Sequence, residues 1–173
     1  MSVSLYEVSV ESYLQAVGAV AHFLEKGKTY CEENGIDLGE VVETRLFPDM
    51  LPFRFQLVSV GHHSLGSIQG IEAGAFSPPG SGDGLDYAGL QNLIIDAKAG
   101  LEALTQDDVN AYGGKEVIFE IGDRKIPFTA ENFVMTFSLP NLYFHAATAY
   151  DILRMKGVPL GKRDFMGRLR MKT

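Results

Sequence analysis

The chain has 173 residues, a formal net charge of −7 at pH 7, 46% apolar residues and 21% charged residues. That length suits one domain, here 1–173, that buries a core without staples. The single cysteine, Cys31, excludes an internal disulfide and any Cys-rich zinc module. No apolar run approaches the roughly 18 residues of a membrane span, and Met1 to Glu7 lacks the basic-then-apolar pattern of a secretory signal. A reducing cytoplasm is the expected compartment.

Apolar spacing of three and four predicts a first helix over 10–34, carried by Val10, Tyr13, Leu14, Val17, Val20, Ala21 and Leu24. Ser9 is its expected cap and Asn34-Gly35 its stop. A connector with one helical turn near Glu40–Arg45 follows. A second helix is predicted over 52–72, opened by Pro52 and striped by Phe53, Leu57, Val60, Ser64, Ile68 and Ile71. Ser77-Pro-Pro-Gly-Ser-Gly-Asp-Gly84 reads as an exposed loop. A third helix is predicted over 87–104, capped by Asp86. Then the period changes to two: Val117, Phe119 and Ile121 alternate, Gly122-Asp123 turns, and the chain returns to Phe128. That pattern predicts one β-hairpin at 116–128 and no parallel strand. A fourth helix is predicted over 130–156, capped by Thr129 and kinked or split by Pro140, which lacks the N–H a helix interior needs. The class expected is all-α: a four-helix bundle with a hairpin inserted before the last helix.

Charge is uneven. Residues 1–153 hold 8 basic and 21 acidic side chains, whereas 154–173 hold 7 basic and 1 acidic. The acidic body disfavours nucleic acid, whose affinity rests on phosphate contacts. Residues 166–173 read as a flexible basic tail held by or solvated near that body.

Catalytic fingerprints are lacking: there is no GxGxxG, phosphate-binding loop, HExxH or nucleophile elbow. His22 adjoins the first helix's apolar stripe and reads as a partly buried structural histidine. Cys31 sits near Glu25, Glu32 and Glu33, whose charge would raise its pKa and keep it unreactive. In the second helix His62 borders the core, and His63 aligns with Gln56, Ser59 and Ser67 on a smaller polar stripe. In the fourth, Asn141 and His145 lie one turn apart and make a polar notch in an apolar helix. Two uses of that notch are open. His145 can bridge to a backbone carbonyl freed by Pro140, or it can serve a pocket. A pocket would bring His145 and Asn141 against Gln56, Ser59 and His63, with Phe137, Phe144 and Leu57 as walls. No metal is expected there; were one held, the ligands would be His145 with His62 or His63.

Leu139-Pro-Asn-Leu-Tyr-Phe-His-Ala-Ala-Thr-Ala-Tyr-Asp-Ile-Leu-Arg154 and Gly157-Val-Pro-Leu-Gly-Lys-Arg-Asp-Phe165 resemble the signature of a family of unknown function. Ser4-Leu-Tyr6, Arg45-Leu-Phe-Pro-Asp-Met50 and Pro52 fit the same family, so the resemblance spans about residues 4–165. That family is similar to the DinB/YfiT-like superfamily, and the resemblance implies an up-down-down-up four-helix bundle and frequent dimers. Other branches of the superfamily bind a divalent metal through one histidine of helix two and an HxxxH in helix four. Some act as transferases or isomerases with low-molecular-weight thiols. Matched on Gly157-Val-Pro, the HxxxH falls on Asn141 and His145, and the helix-two ligand falls near Gln56. The implied metal site is degenerate, because an amide oxygen is a poor transition-metal ligand.

The expected function is binding of a small apolar or aromatic molecule by a homodimer, without cofactor, nucleic acid or membrane. The alternative is a metal- or thiol-dependent transferase or hydrolase acting on a small molecule. The homodimer is expected through helices two and four, whose apolar faces exceed one bundle seam.

Overall fold

The computed structural model describes residues 3–172 and is mostly helical, with a small three-stranded mixed sheet. A one-turn helix, α1 (Leu5–Val8), opens on a reciprocal cap between Ser4 and Glu7. It runs directly into α2 (Val10–Glu33). Ser9 does not cap α2 as expected. Its hydroxyl donates back to the Leu5 carbonyl at 2.6 Å, which α1 places within reach. Gly35, at φ +65°, ends the helix as its sequence suggests. The connector turn is α3 (Leu38–Glu43).

The predicted second helix is two helices, α4 (Phe53–His62) and α5 (Leu65–Ala73). Ser64 makes the break. Its hydroxyl donates to the Val60 carbonyl at 2.7 Å, the acceptor its own N–H would use in a continuous helix. That N–H turns to the Gly61 carbonyl at 3.3 Å. After α5 the chain turns at Gly74 and forms β1 (Ala75–Phe76). Helix α6 (Tyr87–Glu102) begins where Asp86 accepts the Gly89 N–H at 2.7 Å, as predicted. A short α7 (Gln106–Asn110) follows.

The hairpin is present as β2 (Glu116–Ile121) and β3 (Arg124–Thr129), antiparallel across Gly122-Asp123. The expectation of a lone hairpin is corrected by β1, which pairs in parallel with β2, Ala75 against Ile118. The Gly74 carbonyl accepts the Ile118 N–H at 3.0 Å, so the end of α5 sets this strand, and two residues carry no alternation to announce it. The class is therefore not purely all-α. Among the described residues no helix is long and apolar enough to cross a membrane.

The last predicted helix comprises α8 (Ala130–Phe133), a π-helical turn (Val134–Ser138) and α9 (Leu139–Met155); α10 (Lys162–Met166) follows. Pro140 cannot return an N–H to the preceding turn, and the Leu139 N–H reaches back five residues to Val134. Helix α2 packs on α6 and α9, and α4 packs on the same two. Beyond α10, the Gln15 amide donates to the Met166 carbonyl at 2.9 Å, and Arg170 pairs with Glu11. The basic end of the chain thus lies along its own acidic α2.

Tyr13, fully buried, ties these parts together. Ser67 Oγ donates to Tyr13 Oη at 2.9 Å, Tyr13 Oη donates to Ser138 Oγ at 3.0 Å, and Ser138 Oγ donates to the His63 carbonyl at 2.7 Å. Burial pushes the phenol pKa up to about 12, so it stays a donor. Tyr13→Phe should destabilise the fold by about 1–3 kcal/mol, because it removes two buried hydrogen bonds, those with Ser67 and Ser138, each worth about 0.5–1.5 kcal/mol. Urea unfolding should show a lower midpoint at unchanged slope; an unchanged midpoint would mean that the hydroxyl chain contributes nothing.

Candidate functional site

Four residues of α4 and its end, Gln56, Ser59, His63 and, past the break, Ser67, fall on one face by helical spacing. Sequence reading made this the lesser, polar stripe. The structure buries it: Gln56 is 2% exposed, Ser59 0%, His63 5% and Ser67 0%. The stripe faces α9 and the π turn, so its polar atoms must find partners there or go without.

Gln56 and His145 find each other. The Gln56 amide Nε2 donates to the Leu51 carbonyl at 2.7 Å, which fixes the orientation of the amide. Its Oε1 is then an acceptor, and His145 Nδ1, 2.8 Å away, must carry the proton. The neutral ring therefore keeps its lone pair on Nε2. Burial lowers the His145 pKa to about 4. His63 is held lower still, at about 3, by burial first and then by His62 and His145. The two rings lie nearly parallel, 12° apart with centroids at 6.0 Å. Phe137 and Phe76 close on His63 at 5.6 and 5.5 Å, and Phe55 and Phe144 approach His145 at 5.9 and 5.2 Å.

Two buried atoms of the stripe are without partners: His63 Nδ1 and Ser59 Oγ. An orphaned buried polar atom costs roughly 1–3 kcal/mol. Both lie on the face that meets His145.

Asn141 does not join them. Its Nδ2 donates to the Phe137 carbonyl at 2.7 Å, so Asn141 is the residue that satisfies the backbone beside Pro140. His145, expected as the alternative bridge to that backbone, is free for Gln56. Phe144, expected as a wall, is 57% exposed, whereas Leu57 is fully buried and Phe137 is half-buried. His62 is half-buried and leaves the seam, donating from Nε2 to the Ser77 carbonyl at 2.7 Å.

One further expectation is corrected, and another holds in direction with a different leading cause. The His22 side chain is 59% exposed and lies 3.2 Å from Asp164, so it is a surface residue of the α2–α10 contact. Cys31 is fully buried; burial, more than neighbouring carboxylates, raises its pKa.

The donors do not fit a three-histidine centre. His145 Nδ1 and Gln56 Oε1 are engaged with each other, the Asn141 amide is spent on the π turn, and the His63 ring stacks parallel to His145. Among the described residues no group of three or more His, Cys, Asp or Glu forms a ligand set.

A family described as a domain of unknown function, DUF1993, matches residues 5–166. Among solved structures, a DinB family member protein from Shewanella denitrificans superposes with a TM-score of 0.81 at 22% identity, over 98% of this chain and 95% of that one. At that identity the likeness shows the fold alone. No curated protein matches the chain significantly.

Both histidine pKa values fall below the 6.5 of an ordinary imidazole. Between about pH 6.5 and 4 the unfolded chain binds protons that the folded chain excludes, so stability is full above that window and is lost as pH falls through it. Each ring contributes up to about 1.4 kcal/mol per pH unit there. Urea midpoints taken from pH 7 to pH 5 should decline, and less steeply for His145→Gln; equal slopes for both proteins would contradict the assignment.

Proposed function

The chain belongs to the DUF1993 family, and from that premise we propose that the seam between α4 and α9 binds a small, neutral, mainly aromatic molecule through one hydrogen bond. The observation that carries this reading is the pair of orphaned buried atoms, His63 Nδ1 and Ser59 Oγ, beside a His145 whose Nε2 is left as an acceptor. Phe55 and Phe144 flank that ring and supply the apolar contact. Binding is favoured over proton abstraction because a general base works best with a pKa near the working pH, and burial holds His145 at about 4. A ligand bearing O–H or N–H donates to the neutral imidazole without needing its protonation. In this reading the metal site of other DinB-like branches has become a hydrogen-bonded amide and imidazole.

The same reading takes the chain as a single DinB-like domain with up-down-down-up connections. In support, the Tyr87 hydroxyl at the start of α6 donates to the Leu24 carbonyl in the later half of α2, so these two run opposite ways. Tyr13 meets Ser138 and Phe23 meets Tyr150, so α2 and α9 run the same way. Gln56 meets His145 and the His63 carbonyl meets Ser138, so α4 opposes α9. A homodimer is part of the proposal, and its support is the exposure of Tyr143 (45%), Phe144 (57%) and Met155 (53%) on α9.

Phenol is the simplest probe: one ring and one donor. Titrated into protein labelled with nitrogen-15 on histidine, it should shift the His145 and His63 ring signals saturably. His145→Ala should abolish saturation, and His22, outside the seam, should not move. Linear shifts, or equal shifts at His22, would overturn the reading.

A further inference from the structure

Gly18 lies in the interior of α2, where glycine weakens a helix relative to alanine. Other interior glycines have a packing reason. A Cβ at Gly27 would meet the Tyr87 hydroxyl at 2.8 Å, at Gly61 it would meet Leu93 at 2.7 Å, at Gly70 Phe76 at 2.7 Å, and at Gly100 Leu65 at 2.5 Å. At Gly18 a Cβ would meet nothing within 4 Å. The fold does not require glycine there, and the space above it is open.

That space is a groove of about 870 Å³ between α2, the end of α6 and the chain beyond α10. Gly167, at φ +62°, brings this last segment against α2; a Cβ there would meet the Gln15 carbonyl at 3.0 Å. The groove floor is Leu14, Gly18 and Ala19, and Leu169 and Met171 form an apolar side. Its carboxylates are already matched. Glu11 pairs with Arg170, Glu102 with Lys98 at 2.7 Å, and Asp164 with Lys26 at 2.9 Å and His22 at 3.2 Å. Arg163 and Arg168 also line the groove, and among the described residues neither enters an ion pair. On a chain of net charge −7, two unmatched guanidinium groups over an apolar floor form a local exception. A guanidinium fork binds a carboxylate through two parallel hydrogen bonds.

We propose that this groove binds a small amphipathic carboxylate, with its head at Arg163 and Arg168 and its apolar tail over Gly18. The groove shares no lining residue with the α4–α9 seam, so the two proposals stand apart. Its volume lies within the range usual for small-molecule sites, roughly 300–1,000 Å³.

Octanoate is the probe, with octanol as its uncharged counterpart, followed by calorimetry and sedimentation on the full chain. Octanoate should bind saturably and at least about tenfold more tightly than octanol. Replacing both arginines, Arg163→Gln with Arg168→Gln, should remove that preference. Gly18→Phe should block binding by filling the groove, while Gly18→Ala should leave binding in place and raise the melting temperature, which shows that the helix tolerates a side chain there. The proposal is overturned if octanoate and octanol bind alike, if octanoate fails to saturate, or if Gly18→Phe leaves binding unchanged. It is equally overturned if Gly18→Phe converts a dimer to a monomer while octanoate has no effect, because the groove would then hold a second copy of the chain.

Discussion

Pro140 has no N–H, and much of the α4–α9 seam follows from that lack. The preceding turn opens from four-residue to five-residue hydrogen bonds, with the Leu139 N–H on the Val134 carbonyl. One extra residue in a turn rotates everything after it by roughly 100° relative to an unbroken helix. Phe137 then lies among Phe76, Phe119, Phe128 and Phe133, over the sheet. Ser138 reaches the His63 carbonyl, and Asn141 covers the Phe137 carbonyl. His145, two turns further on, is directed at Gln56. The imidazole–amide pair therefore depends on the π turn, which joins hairpin, core and seam in one set of contacts.

Most of this fold was legible because long amphipathic helices and a two-residue turn carry strong local signals. The misses have local causes. Ser64 breaks the second helix by taking a carbonyl with its hydroxyl, and a lone serine in an apolar pattern gives no period change to detect. Strand β1 exists because Gly74 aims the end of α5 at β2. Pro140 reads in the sequence as a kink or a split; the π turn that forms instead is not legible there, since it rests on Phe137 and Ser138 finding tertiary partners.

The site was legible as a set of residues and not as an arrangement. Gln56, Ser59, His63 and His145 were all singled out by helical spacing, but the stripe regarded as secondary is buried as fully as the apolar one. Spacing ranks a face by how apolar it is, and here a polar face is buried because its partner face on α9 is polar as well. Asn141 was paired with His145 on the same grounds. The pairing does not form because the Phe137 backbone carbonyl one turn back takes the Asn141 amide. His22 and Cys31 exchanged their expected environments because neighbouring elements decide burial along α2: His22 stays at the surface beside Asp164 of α10, and Cys31 is buried near Tyr87 and Lys156, which its own periodicity cannot reveal.

The seam and the groove differ in the ligand chemistry they can serve, and the difference is electrostatic. At physiological ionic strength charges are screened beyond about 8 Å, so the net charge of −7 does not decide either site; the nearest groups do. In the seam those groups are two neutral rings, an amide and a hydroxyl, held neutral by the burial that lowers both histidine pKa values. An anion placed there would lose its hydration and meet no compensating cation. A neutral donor loses little and gains the His145 Nε2 acceptor with the aromatic rings beside it. In the groove the order reverses. Among the described residues the carboxylates are matched and the guanidinium groups of Arg163 and Arg168 are not, so a neutral ligand gains only the apolar floor while an anion gains both. The same concentration of basic residues after Leu153 that reads in sequence as a loosely held tail thus becomes, once Gly167 turns it against α2, one wall of a cationic groove.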